Sequence, residues 1–149
     1  QAYQSLLEQA LRVFTRRVSE LLDAERASLF LVDRRRGELV LRVAQDVEKG
    51  DSVRIPLGSG IAGAAATSGQ PVRVADAYQD PRFNRDVDKA SGYRTRCMLA
   101  LPLIDHKNVL VGVMQVLNKT GGVFDGDDEV LARALAAQCA VALQRVRMT

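Results

Sequence analysis

The feature that most constrains this chain lies near its C-terminal end, where Asn118-Lys119 is followed after a short gap by Phe124 and then by Asp128-Glu129. Val109 to Leu117 is an apolar run of strand character that ends in Asn118-Lys119, and Gly121 and Gly122 then break it. Phe124 is a lone aromatic suited to plug the base of the next element into a core, and Asp125, three residues before Asp128, has the pattern of a helix N-cap with a capping-box acid. A helix is expected to begin near Gly126. Its first turn would carry Asp127, Asp128 and Glu129, where the positive end of the helix dipole favours carboxylates. Lys119 is placed to pair with one of them, and Asp128 is the expected partner.

Upstream, Leu7, Leu11, Phe14, Val18 and Leu21 recur at helical spacing and predict a helix from about Tyr3 to Leu22. Strand-like runs follow at about Ala27 to Val32, Glu38 to Ala44 and Ser52 to Pro56, the first two joined by the turn Arg34-Arg35-Arg36-Gly37. Gly58-Ser59-Gly60 then opens a small Ala-rich helix, Ile61 to Thr67, stopped at Gly69; Val72 to Ala75 reads as a short strand and Asn84 to Ala90 as a short helix over the sheet. Thr95 to Ile104 and Val109 to Leu117 form a second hairpin, and Gly126 to about Arg147 is the closing helix. That helix has Leu131, Leu135, Cys139, Ala142 and Val146 on one side and slim Ala132, Ala136 and Ala140 on another. Two terminal helices on one face of an antiparallel sheet, with a lid segment on the other, make an α+β architecture.

The 149 residues, 47% hydrophobic and 26% charged, fit one domain with a single core spanning 1–149, with 1–22 as an N-terminal or linker helix and 23–149 as the core. A net charge of +3 is too small for a nucleic-acid stripe, so no nucleic-acid partner is expected. The Arg34–Arg36 run reads first as a solvated loop. Cys97 and Cys139 sit in unrelated contexts without metal-ligand spacing, and read as buried small hydrophobes; no metal or cofactor is expected. No apolar stretch reaches bilayer length and no leader opens the chain, so a cytoplasmic location without membrane insertion is expected. An opening Gln1 suggests a module of something longer.

The spacing of Asn118-Lys119, Phe124 and Asp128-Glu129 resembles the signature of GAF domains that bind cyclic nucleotides in mammalian phosphodiesterases and bacterial adenylyl cyclases. Four other stretches fit: Ser28 to Asp33; Ile55-Pro56 with Gly60-Ile61-Ala62-Gly63; Asp76-Ala77-Tyr78 with Asp80-Pro81-Arg82-Phe83-Asn84; and Gly92-Tyr93-Arg94-Thr95-Arg96. The resemblance runs from about Leu22 to Val146. It implies a sheet of about six strands, a ligand pocket under a helical lid, cAMP or cGMP as ligand, homodimerisation through the terminal helices and an effector domain in the same protein.

A cyclic nucleotide needs an anion cradle, a hydroxyl partner and a polar-edged slot for its base. Taken alone, Gly58-Ser59-Gly60 reads first as a tight turn, but a glycine loop opening a helix also frees the N–H groups of Ile61 and Ala62 for a phosphate. The resemblance assigns those amides to the phosphate, Ser28 to the base, Asp88, Ser91 and Thr95 to lid and wall, and Gln115 to the ligand-facing side of the last strand. Asn84 stands where similar domains sometimes carry an aromatic residue, and Asp46 is a candidate for the base edge. Lys119 and Asp128 are read as structural.

Two rival functions bear on these residues. Some GAF proteins reduce methionine sulfoxide or hold haem or a bilin, which demands a reactive thiol pair or a placed His or Cys; the single histidine, His106, falls in a hairpin turn. A ligand-independent dimerising spacer is the other, and the terminal helices suit it equally.

Overall fold

The computed structural model of the chain describes residues 2–44 and 53–147. A long helix, α1 (Ala2–Leu21), leads into β1 (Ala24–Asp33), β2 (Glu38–Ala44) and β3 (Arg54–Pro56). Then come α2 (Gly60–Ser68), β4 (Val72–Val74), a single 3-10 turn at Ala77–Gln79, and α3 (Arg85–Ser91). The hairpin β5 (Met98–Ile104) and β6 (Leu110–Lys119) precedes the closing helix α4 (Gly126–Arg147). The strands form one six-stranded sheet in the order β3-β2-β1-β6-β5-β4, every neighbouring pair antiparallel. This is the α+β layout expected from the sequence, with β1 and β6, from opposite ends of the chain, side by side at its centre.

Alternation along the strands divides the core in two. Ala27 and Leu29 of β1, Leu99 and Leu101 of β5, and Met114 and Val116 of β6 face α1 and α4. Phe30, Met98, Ala100 and Val113 point the other way and are covered by Ile61, Ala62 and Ala65 of α2. The stripe on α1 is buried at Leu11 and Val18, as its period requires, but it ends on Leu22 (0% exposed) rather than Leu21, which is 46% exposed. Four residues from Val18 is closer to a full helical turn than three when the step is 3.6 residues, so Leu22 continues the face.

The closing helix packs with its slim side. Ala132, Ala136, Ala140, Cys139 and Leu143 are buried against the sheet, whereas Leu131 is exposed. Small side chains let the helix backbone lie close over β5 and β6. The expected bulky side of Leu131 and Leu135 is therefore only partly used, with Leu135 packed at the margin of the core.

Strand boundaries shift for identifiable reasons. β1 starts at Ala24 because β6 runs on to Lys119 and pairs with it there. β5 starts at Met98 rather than Thr95 because the backbone before it is committed elsewhere: the Thr95 N–H goes to Asp88, the Arg96 N–H to Asn118, and the Arg96 carbonyl to Ala77. The 3-10 turn, absent from the sequence expectation, is set by Asp76, whose side chain accepts from the Tyr78 N–H. The start of the expected third strand at Ser52, and the Gln45–Gly50 loop with Asp46, lie outside the described residues.

Candidate functional site

The corner built by the C-terminal motif is tightly bonded. Asn118 has φ 59°, a left-handed conformation that Asn tolerates better than most residues. Its Oδ1 accepts from the N–H groups of Arg96 (2.6 Å) and Cys97 (3.1 Å), and its Nδ2 donates to the Arg94 carbonyl (2.9 Å) and the Tyr93 hydroxyl (2.8 Å). Next to it, Lys119 Nζ donates to Asp128 at 2.8 Å and to the Leu22 carbonyl at 3.1 Å. The pairing with Asp128 holds the Lys119 ammonium above its ordinary pKa. Asp128 also completes the capping box: Asp125 Oδ1 accepts from the Asp128 N–H and Asp128 Oδ2 from the Asp125 N–H, both at 3.0 Å. Phe124 is 5% exposed in the helix-side core, and Glu129 reaches Arg73 on the edge strand β4 at 3.0 Å.

On the opposite face of the sheet, register brings Ser28 of β1 directly beside Gln115 of β6, and Gln115 beside Ala100 of β5. Ser28 is 9% exposed, and neither side chain makes a hydrogen bond among the described residues. The same face carries α2. Its loop is shaped by two glycines: Gly60 sits at φ +72°, and a Cβ on Gly63 would stand 2.4 Å from the Gly58 carbonyl carbon, so loop and helix touch backbone to backbone. Ser59 is the N-cap but gives no side-chain cap, and the first outward helix bond runs from the Gly63 N–H to Ser59. The N–H groups of Ile61 and Ala62 are thus first-turn donors without an intrahelical acceptor.

The lid side is pinned from within. Asp88, 5% exposed, accepts from the Tyr78 hydroxyl, the Thr95 N–H and the Thr95 hydroxyl, each at 2.7 Å. Asp88 also raises the pKa of Tyr78, chiefly through that hydrogen bond. Asn84 is the N-cap of α3, its side chain accepting from the Asp86 N–H, and Ser91 bonds locally to the Tyr93 N–H at the exit of the same helix. Asp88 and Thr95 therefore meet each other, Ser28 and Gln115 meet each other, and Asn84 and Ser91 sit at the two ends of α3.

Sequence reasoning gave no role to Tyr78, Tyr93 or Glu25. The Tyr78 ring stacks under Arg94 at 3.9 Å and near Phe83 at 5.3 Å. Tyr93 donates to Glu25 at 2.7 Å and lies under Arg26 at 3.8 Å. A signal was present in the run Gly92-Tyr93-Arg94-Thr95-Arg96, an aromatic among cations, but its partners are far away in the chain. The two cysteines are free and both belong to the helix-side core, so neither opens onto the face with α2. Burial pushes the Cys139 thiol up to about 12, which keeps it protonated and unreactive.

The GAF domain model matches residues 6–143 of the chain. Over 141 residues the chain is 36% identical to the probable 3′,5′-cyclic phosphodiesterase pde-5 of Caenorhabditis elegans, covering 87% of this chain and 19% of that protein. Over 147 residues it is 38% identical to the dual 3′,5′-cyclic-AMP and -GMP phosphodiesterase 11 of Drosophila melanogaster, covering 88% of this chain and 10% of that protein. It therefore spans less than a fifth of these relatives. Among solved structures, the GAF domain of a phosphoenolpyruvate-protein phosphotransferase from Coxiella burnetii superposes with a TM-score of 0.84 at 27% identity, covering 95% of this chain and 84% of that one. The free methionine-R-sulfoxide reductase of Neisseria meningitidis superposes at 0.72 with 26% identity, covering 87% and 72%.

Proposed function

We propose that this chain, which belongs to the GAF domain family, is a regulatory sensor that binds a 3′,5′-cyclic nucleotide, cAMP or cGMP, and relays its presence to an effector domain. The observation that carries the reading is the pair Ser28 and Gln115, set in register on the face that α2 covers and lacking hydrogen-bond partners among the described residues. Neither is a buried orphan, since no buried side-chain N or O atom among the described residues lacks a partner and Gln115 is only half-buried; their polar atoms are committed to no other side chain or backbone group and are available to a ligand's donors and acceptors. The base edge goes to these two side chains and the phosphate to the amides of Ile61 and Ala62, where a single negative charge needs no cationic side chain. Asp88 and Thr95, whose polar atoms already bond to each other, form the wall, and Asn84 and Ser91 fix the ends of the lid helix.

The relatives' names support the ligand class, and their length supports an effector domain beyond this segment. A homodimer through the terminal helices would cover Leu6, Val13 and Leu21 of α1 and Val130 and Val141 of α4, all exposed in the single chain. Reduction of methionine sulfoxide is not supported, since both cysteines are enclosed on the wrong face of the sheet.

The test is thermal melting with cAMP, with cGMP and with neither. Ligand at about 100 times its dissociation constant stabilises the fold by roughly 2.7 kcal/mol, and a rise in melting temperature with one of the two is expected. No rise with either nucleotide would reject the reading in favour of a ligand-independent spacer.

A further inference from the structure

Three segments far apart in sequence converge on one corner of the molecule: the α1–β1 junction, the lid exit that follows α3, and the β6–α4 junction. Tyr93 stands where they meet. Its hydroxyl donates to Glu25 of β1 at 2.7 Å and accepts from Asn118 Nδ2 at 2.8 Å, while that same Nδ2 also reaches Glu25 at 3.2 Å. Asn118 further holds the lid exit by its backbone, at Arg94, Arg96 and Cys97. Arg96 returns the contact, donating to the Lys119 carbonyl at 2.6 Å and the Gly122 carbonyl at 2.7 Å.

From this knot two short routes lead outward. Lys119, covalently next to Asn118, grips Asp128 in the first turn of α4 and the Leu22 carbonyl at the end of α1. The Thr120 N–H adds a bond to the Asp23 carbonyl at 2.7 Å. In the other direction Thr95, two residues from Tyr93, is clamped by Asp88 of α3. Lid, first helix and last helix are thus joined through polar bonds at one point, whereas packing alone would leave the lid and the terminal helices separated by the sheet.

We propose that the Glu25–Tyr93–Asn118 cluster is a relay through which the position of the lid sets the position of both terminal helices, with Tyr93 and Asn118 as positioning residues. Its use in signalling rests on the sensor reading above; its existence does not. Tyr93 is the removable pin: Tyr93→Phe keeps the ring under Arg26 and deletes the hydroxyl. Asn118→Gly keeps the left-handed backbone and deletes the carboxamide, and serves as a second variant.

Coupling of this kind is established by a cycle of variants rather than by proximity. Asp88→Asn loosens the lid from inside, with Thr95→Val as the alternative if the first fails to fold. Hydrogen exchange is then read at the α1–β1 and β6–α4 junctions without ligand, since local opening is what it reports. In the native background the lid change is expected to speed exchange at both junctions by about twofold or more. With Tyr93→Phe or Asn118→Gly already present, the same lid change should add nothing there. An equal effect in both backgrounds, or no effect at the junctions in the native one, overturns the relay. A nucleotide arm separates this claim from the sensor reading: heat of binding with no altered exchange at the junctions defeats the relay alone, while absence of heat defeats the sensor reading and leaves the ligand-free cycle to decide the relay.

Discussion

Asn118 combines two properties that its position demands, a left-handed backbone and a carboxamide able to serve the lid exit with both its ends. Its neighbour Lys119 is one cation closing two elements. Lys119→Ala would leave the Asp128 carboxylate and the Leu22 carbonyl without that donor, both part-buried, and a loss of about 1–3 kcal/mol is expected. A melting curve and nucleotide affinity unchanged from the native chain would contradict this. Glu25 gives a prediction in pH. Hydrogen bonds from Tyr93 and then Asn118 hold its carboxyl below the ordinary value of 4.5, so the stability it contributes is present above that value and lost as pH falls through the lower folded one. Melting measured across that acid range should fall less steeply in Tyr93→Phe than in the native chain; parallel curves would remove the bond's claimed strength. At this scale the sequence revealed the Lys119–Asp128 pair and the capping box because their members lie within one strand-loop-helix unit. Tyr93 and Glu25 are separated by 68 residues and Asn118 and Glu25 by 93, distances that no local pattern encodes.

Among the elements, α2 and its loop bear most directly on the proposed binding. Because the Gly58 backbone occupies the space a Cβ on Gly63 would take, Gly63→Ala must push loop and helix apart. Overpacking of this kind costs about 1–3 kcal/mol, and the amides of Ile61 and Ala62 would move with the helix. Weaker nucleotide binding together with a lower melting temperature is expected; native affinity in a folded Gly63→Ala chain would show that the loop does not hold the phosphate. Element types followed from periodicity and glycine punctuation, and β2 and α4 fall on their expected bounds. Faces were harder. A stripe of leucines and a stripe of alanines on α4 each satisfy helical spacing, and only the closeness of the sheet selects the alanines as the packed side. Where β5 begins was equally hidden, because side-chain acceptors on α3 and β6 claim the backbone just before it.

For the molecule as a whole, the sheet order places β1 and β6 at the centre, so the two ends of the chain meet along one register that also aligns Ser28 with Gln115. The architecture was legible through the motif set, since all but the β1 stretch Ser28 to Asp33 fall at or beside junctions between elements and together they leave few ways to connect them. The candidate site was legible only residue by residue: strand alternation says which side of the sheet a residue faces, while the bonds that Asp88 accepts from Tyr78 and Thr95 join positions that no local pattern links. Calorimetric titration of the native chain with cAMP and with cGMP tests the central claim most directly, compared with the Ser28→Ala, Gln115→Ala double variant. Saturable heat with one nucleotide, lost or strongly weakened in a double variant that remains folded, is the predicted result; no heat with either nucleotide, or an affinity unchanged by the double substitution, would contradict it.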